Sequence, residues 1–215
     1  MGRGPVGAPA IIRYNNQSIS AIDDVSGLSD SMVLIKTVTA SSSATISFVD
    51  GTSDVVLDNT YPIYKFVLID IHPSANTTDL TFQASTDTGS SYGVTATSTC
   101  FTSQLDEANT APGLSYSGDP RHLAQSSSFQ SLSIDCGNDN DQSAAGELWL
   151  YNPSSTTFVK HFLSRVQNYH GSDYSIEAYA AGYFNTTSAV DAIQFKFDSG
   201  NIDAGTFKLY GIKDS

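Results

Sequence analysis

The chain has 215 residues, 40% of them hydrophobic and 15% charged, with a formal net charge of −12 and a pI near 4.4. So acidic a chain repels phosphate backbones, which weighs against a nucleic-acid partner. No apolar run approaches the ~18 residues of a membrane helix, which weighs against a membrane partner. The polarity comes from Ser, Thr, Asn and Gly rather than from ions, and 11 Tyr with 11 Phe set the chain apart from disordered sequences. Strands and tight turns have this composition.

Residues 1–31 are dominated by Gly, Pro, Ser and Asn, with Ile11 and Ile12 as apolar anchors. They read as a polar tail or as an extended N-terminal arm that orders against a neighbouring subunit, with Ile11 and Ile12 as interface candidates. The opening "MGRGPVGAPAIIRYNNQ" has no apolar run of signal-peptide length, and Val6 stands where myristoylation requires Ser or Thr. Export by the ordinary secretory route is not expected.

Residues 32–215 read as one domain built of strand after strand. "MVLIKTVT" and "ATISFVD" come first. "YPIYKFVLIDIH" follows, apolar on both faces through its middle and so expected deep in the fold. "TDLTFQAST" alternates, predicting Leu80, Phe82 and Ala84 inward and Thr81 and Gln83 outward. A turn at "TDTGSSYG" leads to the strand "VTATSTCFTS". A long connection without periodicity, Gln104 to Ser128, then precedes "FQSLSID", "GELWLYN", "TFVKHFLSR", "YSIEAYAAGYFN", "AVDAIQFKFDS" and "GTFKLYGIK". In "AVDAIQFKFDS", Ile193, Phe195 and Phe197 share a face opposite Gln194 and Lys196. No stretch has helical periodicity. Ten or eleven short strands separated by turn clusters predict an all-β fold, a single antiparallel β-sandwich or jelly roll.

Several motifs invite chemistry. "GSSYG" at Gly89–Gly93 matches the nucleophile-elbow pattern, but that elbow needs a following helix, and β-branched "VTATST" predicts a hairpin turn instead. In "DCGNDNDQ", Asp135, Asp139 and Asp141 offer the oxygen ligands that calcium takes. The spacing departs from a calcium loop, with Gly137 where a ligand belongs, so a polar turn is the simpler reading and no cofactor is expected. The four histidines show no metal-ligand spacing. Asp106, Glu107 and Asp119 share the long connection, but a Ser- and Gly-rich loop gives no sign of the buried, neutral carboxyl that glycoside hydrolysis requires. No catalytic residue is nominated. Cys100 and Cys136 are the only cysteines and read equally as a disulfide or as two buried thiols.

The most informative strand is "TFVKHFLSR". Alternation puts Phe158, Lys160 and Phe162 on one face and Val159, His161 and Leu163 on the other, so neither face is cleanly core or solvent. An unpaired ammonium in a core is strongly unfavourable, so Lys160 is expected to snorkel to water or a partner. Phe158, Lys160, His161, Phe162 and Trp149 on the preceding strand are therefore the candidate subunit interface. His161 reads as a contact rather than a catalyst. In the long connection, Tyr116, Arg121 and His122 are the candidates for touching a partner or glycan. Tyr116, Tyr169 and Tyr174 are aromatics suited to stacking on sugars.

The phrases "MVLIKTVTASSSATISFVDG", "YPIYKFVLIDIHPSANTTDLTFQASTDTGSSY", "LYNPSSTTFVKHF" and "GYFNTTSAVDAIQFKFDSGNIDAGTFKLYGI" resemble a group of small virion structural proteins of tailed bacteriophages, notably aquatic ones. The similarity covers most of Met32 to Ile212. It implies a structural role on the head surface or in the tail apparatus, without catalytic residues to carry over. The expectation is a non-enzymatic capsid decoration or cement protein, trimeric, assembled into the virion in the host cytoplasm. Its expected partners are its own copies and virion proteins such as the major capsid protein or tail proteins. The alternative is a tail-fibre or tail-tip module that binds a host receptor or surface glycan.

Overall fold

A computed structural model describes residues 31–214. Ile11 and Ile12 lie outside the described residues. The described chain forms twelve strands and no helix: β1 (Met32–Ser43), β2 (Ile46–Val49), β3 (Ile63–Pro73), β4 (Leu80–Ser85), β5 (Ala96–Asp106), β6 (Gly113–Tyr116), β7 (Gln130–Ser131), β8 (Ala144–Tyr151), β9 (Lys160–His170), β10 (Tyr174–Phe184), β11 (Ala192–Phe197) and β12 (Ile202–Ile212). They make an eight-stranded sheet in the order β1-β12-β3-β8-β9-β10-β5-β6 and a four-stranded sheet in the order β2-β11-β4-β7. Every strand pairing is antiparallel, and the fold is an all-β sandwich.

Alternation explains how the sheets meet. In β11, Ile193, Phe195 and Phe197 are buried while Gln194 and Lys196 are half-buried, as the period-2 pattern predicts. Aromatic side chains interlock between the sheets: Phe82 of β4 meets Phe162 of β9 edge-on at 5.1 Å, and Phe195 of β11 meets Phe66 of β3 at 5.4 Å. Each fully buried Phe contributes roughly 1.5–3 kcal/mol through burial, so this cluster dominates the core. Gly146 lets β8 and β9 close up, because a Cβ there would collide with the Arg165 carbonyl oxygen.

The structure corrects the sequence reading of β4. All six of its residues are buried, Thr81 and Gln83 included. The cause is the long connection, which folds back over the outside of the small sheet: the Gln83 side-chain amide donates to the carbonyls of Ser127 at 3.1 Å and Ser128 at 2.8 Å. The connection also contains β6, which pairs with β5. At "GSSYG", Ser91 donates its hydroxyl (2.5 Å) and backbone N–H (2.9 Å) to the Asp87 carboxylate, which makes the segment a carboxylate-held turn. Cys100 and Cys136 are buried free thiols, and burial pushes the Cys136 thiol up to about 12.

Candidate interaction face

Strand β9 begins at Lys160, so Phe158 precedes it and does not share its inner face. Phe158 is 69% exposed. Lys160 and Phe162 do point inward, and both are fully buried within a single chain, so neither can form a subunit surface. The expectation that Lys160 reaches water is overturned. Its ammonium donates to two main-chain carbonyls, Phe158 at 2.9 Å and Thr186 at 3.2 Å, in the loops on either side of the strand end. Backbone oxygens do what a partner subunit was expected to do, and burial holds the ammonium below its usual pKa.

The opposite face of β9 carries the more informative arrangement. His161, Leu163, Arg165 and Gln167 are exposed on the solvent side of the large sheet. Strand register extends this side into rows. One row runs Leu34, Tyr210, Lys65, Trp149, Leu163, Ala181, Thr99 across seven strands. The next runs Thr37, Lys208, Val67, Glu147, Arg165, Tyr179, Phe101, Tyr116 across all eight. A solvated antiparallel sheet ordinarily presents polar residues there, yet these rows are rich in aromatic and aliphatic groups. Leu163 is 47% exposed and Phe101 43%.

Neighbouring groups on this face hold one another in place. Phe101 and Tyr179 stack at 4.7 Å with an interplanar angle of 6°. The Lys65 ammonium sits 4.5 Å from the Trp149 ring and pairs with Glu147 at 2.5 Å. Arg165 pairs with Glu177 and lies 5.5 Å from the Tyr179 ring. Between them runs a groove of about 350 Å³ lined by Trp149, Tyr151, Leu163, Arg165, Tyr179 and Ala181 among others. His161 stands beside Tyr183 at 6.2 Å on the same side, with no acidic group ion-paired to it among the described residues.

The long-connection candidates separate. Tyr116 is 62% exposed and packs on His122 at 5.4 Å. Arg121 is not a free reader of ligands: it bonds Asp79 at 3.1 Å and Asp135 at 2.7 Å, pinning the connection to the sandwich. Burial raises the Asp79 pKa, and the Arg121 guanidinium opposes that shift. His122 engages the Ser117 carbonyl through Nδ1 at 2.9 Å. Asp135, offered above as a calcium ligand, is thus committed to Arg121 while Asp139 and Asp141 are exposed, and no group of three metal-ligating side chains converges among the described residues. Asp106 closes the turn after β5, accepting from the N–H groups of Thr110 and Ala111 at 2.7 Å each.

Sequence reasoning marked Trp149 and His161 but missed Leu163, Arg165, Tyr179 and Phe101 as one surface. Their signal is dispersed over strands that only register brings together. No family model, curated protein or solved structure matches this chain.

Proposed function

We propose that the protein is a non-enzymatic virion structural protein, a decoration or cement subunit with a jelly-roll-like sandwich and an N-terminal arm, and that it associates with its own copies, as a trimer, through the outer face of the eight-stranded sheet. The observation that carries this reading is the continuous aromatic and aliphatic surface on the solvent side of that sheet, centred on Trp149, Leu163, Tyr179 and Phe101. Interface cores favour Trp, Tyr, Phe and Arg.

Charge favours a second copy as the occupant. With a net charge of −12, copies repel one another over most of their surface. Lys65, Arg165 and Lys208 offset Glu147 and Glu177 on this face, so it is the part of the molecule that an acidic neighbour can approach. A three-fold ring needs two different patches meeting head to tail, which matches a cation-bearing apolar face against acidic surface. The resemblance to phage virion proteins supplies the setting. The alternative, a tail-tip module that binds host carbohydrate, is favoured by a tyrosine-lined cleft at the far end of β9 and β10.

Light scattering coupled to size-exclusion chromatography tests the association. The full chain is expected to run as a trimer and Leu163→Glu as a monomer with an unchanged melting temperature. A hot-spot loss of about 2 kcal/mol weakens association roughly 30-fold. A wild-type monomer at high concentration, or a Leu163→Glu variant that still assembles, refutes the face as the contact.

A further inference from the structure

A concavity of about 550 Å³ lies where the end of β5 meets the β9–β10 hairpin. It is separate from the aromatic groove, sharing none of its lining residues. Two turns build it. The turn after β5 is closed by Asp106, and the Glu107 N–H donates to the Asp173 carbonyl at 3.1 Å, tying that turn to the β9–β10 hairpin. Tyr169 is clamped from its hydroxyl, which donates to Glu107 at 2.9 Å and lies 3.3 Å from the Asp173 carboxylate. The cleft wall is thus ordered before any ligand arrives, which lowers the entropic cost of binding.

The lining has a distinctive chemistry. Tyr169 stands among planar amide and carboxylate groups, chiefly Gln167, Asn109, Glu107 and Asp141, while Tyr174 borders the cleft with its ring packed on His170 and the inner-face residues Ile134, Ile176 and Ala178. The side chains of Asn109 and Asp141 make no hydrogen bond to other described residues, and Gln167 makes only a long one, 3.4 Å to Ser175. Such groups are free to meet hydroxyls. No lysine or arginine lines the cleft, so an anionic ligand is repelled rather than held. Its carboxylates do not converge as a metal site would require. An aromatic ring for C–H faces, amides and carboxylates for vicinal hydroxyls, and an open trough match one ligand class.

We propose that this cleft binds a neutral oligosaccharide, with Tyr169 as the apolar wall and Gln167, Asn109 and Asp141 as the hydroxyl partners. The site is independent of the association face, so a decoration subunit and a tail-tip module alike can carry it. The test uses the full chain in isothermal titration and saturation-transfer NMR against neutral hexaoses (chito-, cello-, laminari- and malto-series) and a broad neutral-glycan array. An alginate hexamer and a lysine-rich peptide serve as the anionic and cationic arms. At least one neutral glycan is expected to bind saturably, and Tyr169→Ala and Gln167→Ala are each expected to weaken it about tenfold or more. Gln167 is an exposed strand residue, so Gln167→Ala is expected to melt with the wild type and keeps the test valid if Tyr169→Ala unfolds. Leu163→Glu should leave sugar binding intact. Absence of saturable binding to every neutral glycan, retained affinity in Gln167→Ala, or preference for the alginate or the peptide overturns the proposal.

Discussion

Replacing Lys160 by Met tests the most unexpected feature of the fold, an ammonium sealed inside a sandwich and satisfied by two backbone carbonyls. Met keeps the length of the aliphatic stem and removes both donors. Each charge-assisted hydrogen bond is worth about 1.5–3 kcal/mol net, and the carbonyls of Phe158 and Thr186 are left without this donor. Part of that loss returns because the ammonium no longer has to be desolvated. The balance is a destabilisation of about 1–3 kcal/mol, or roughly 3–10 °C in melting temperature for a domain of this size. Lys160→Ala also forfeits three buried methylenes at ~0.8 kcal/mol each, so it should be the weaker protein by about 2 kcal/mol more. Urea unfolding followed by the fluorescence of Trp149, the single tryptophan, reads both variants. Linkage supplies a second arm. Burial holds the Lys160 ammonium below its ordinary 10.5, so just below that pH the unfolded chain binds more protons than the folded one. Wild-type stability attributable to this group therefore rises as pH climbs towards 10.5, while Lys160→Met shows no such gain, and the gap between them widens. A Lys160→Met protein as stable as wild type, with no divergence at alkaline pH, would refute the clamp.

Two further outcomes follow from the buried groups. Arg121→Ala leaves the buried Asp79 carboxylate without its cation and should cost about 3 kcal/mol near neutral pH. Because Asp79 then takes up a proton on folding above its ordinary 3.8, that deficit should shrink as pH falls towards 3.8, measured by urea titrations at several pH values. A pH-independent deficit would contradict the assignment. Burial raises both thiols, Cys136 to about 12, so Ellman's reagent at about pH 8 should find neither cysteine in the folded protein and both after denaturation. Rapid native labelling of either would show that the site opens.

The alternation of apolar residues was enough to read an all-β sandwich and to orient β11 correctly. It failed at β4, where Gln83 and Thr81 read as solvent-facing, because nothing in a local pattern shows that a connection more than forty residues downstream will cover the second face. It failed at Lys160 for a related reason. The acceptors are main-chain oxygens, invisible as residue types, one of them in a loop 26 residues away. The outer face was half legible: Trp149 and His161 drew notice, whereas Tyr179, Phe101 and Tyr210 become neighbours of that surface only through pairings across the sheet. Tyr169 and Tyr174 were singled out as aromatics and both border one cleft, but alternation across the hairpin turns the Tyr174 ring to the inner face, and Tyr116 stands apart on β6.

The seating of β12 between β1 and β3 has a consequence for biosynthesis. Strands β1 and β2 are made first, yet β12 and β11 are the strands that flank them within their sheets. A nascent chain must therefore keep the segments of β1 and β2 unpaired until β12 and β11 have left the ribosome. Premature termination anywhere before Ile202 would strip the large sheet of the strand that joins its margin to its centre, so partial products should be cleared by proteolysis rather than accumulate as stable fragments.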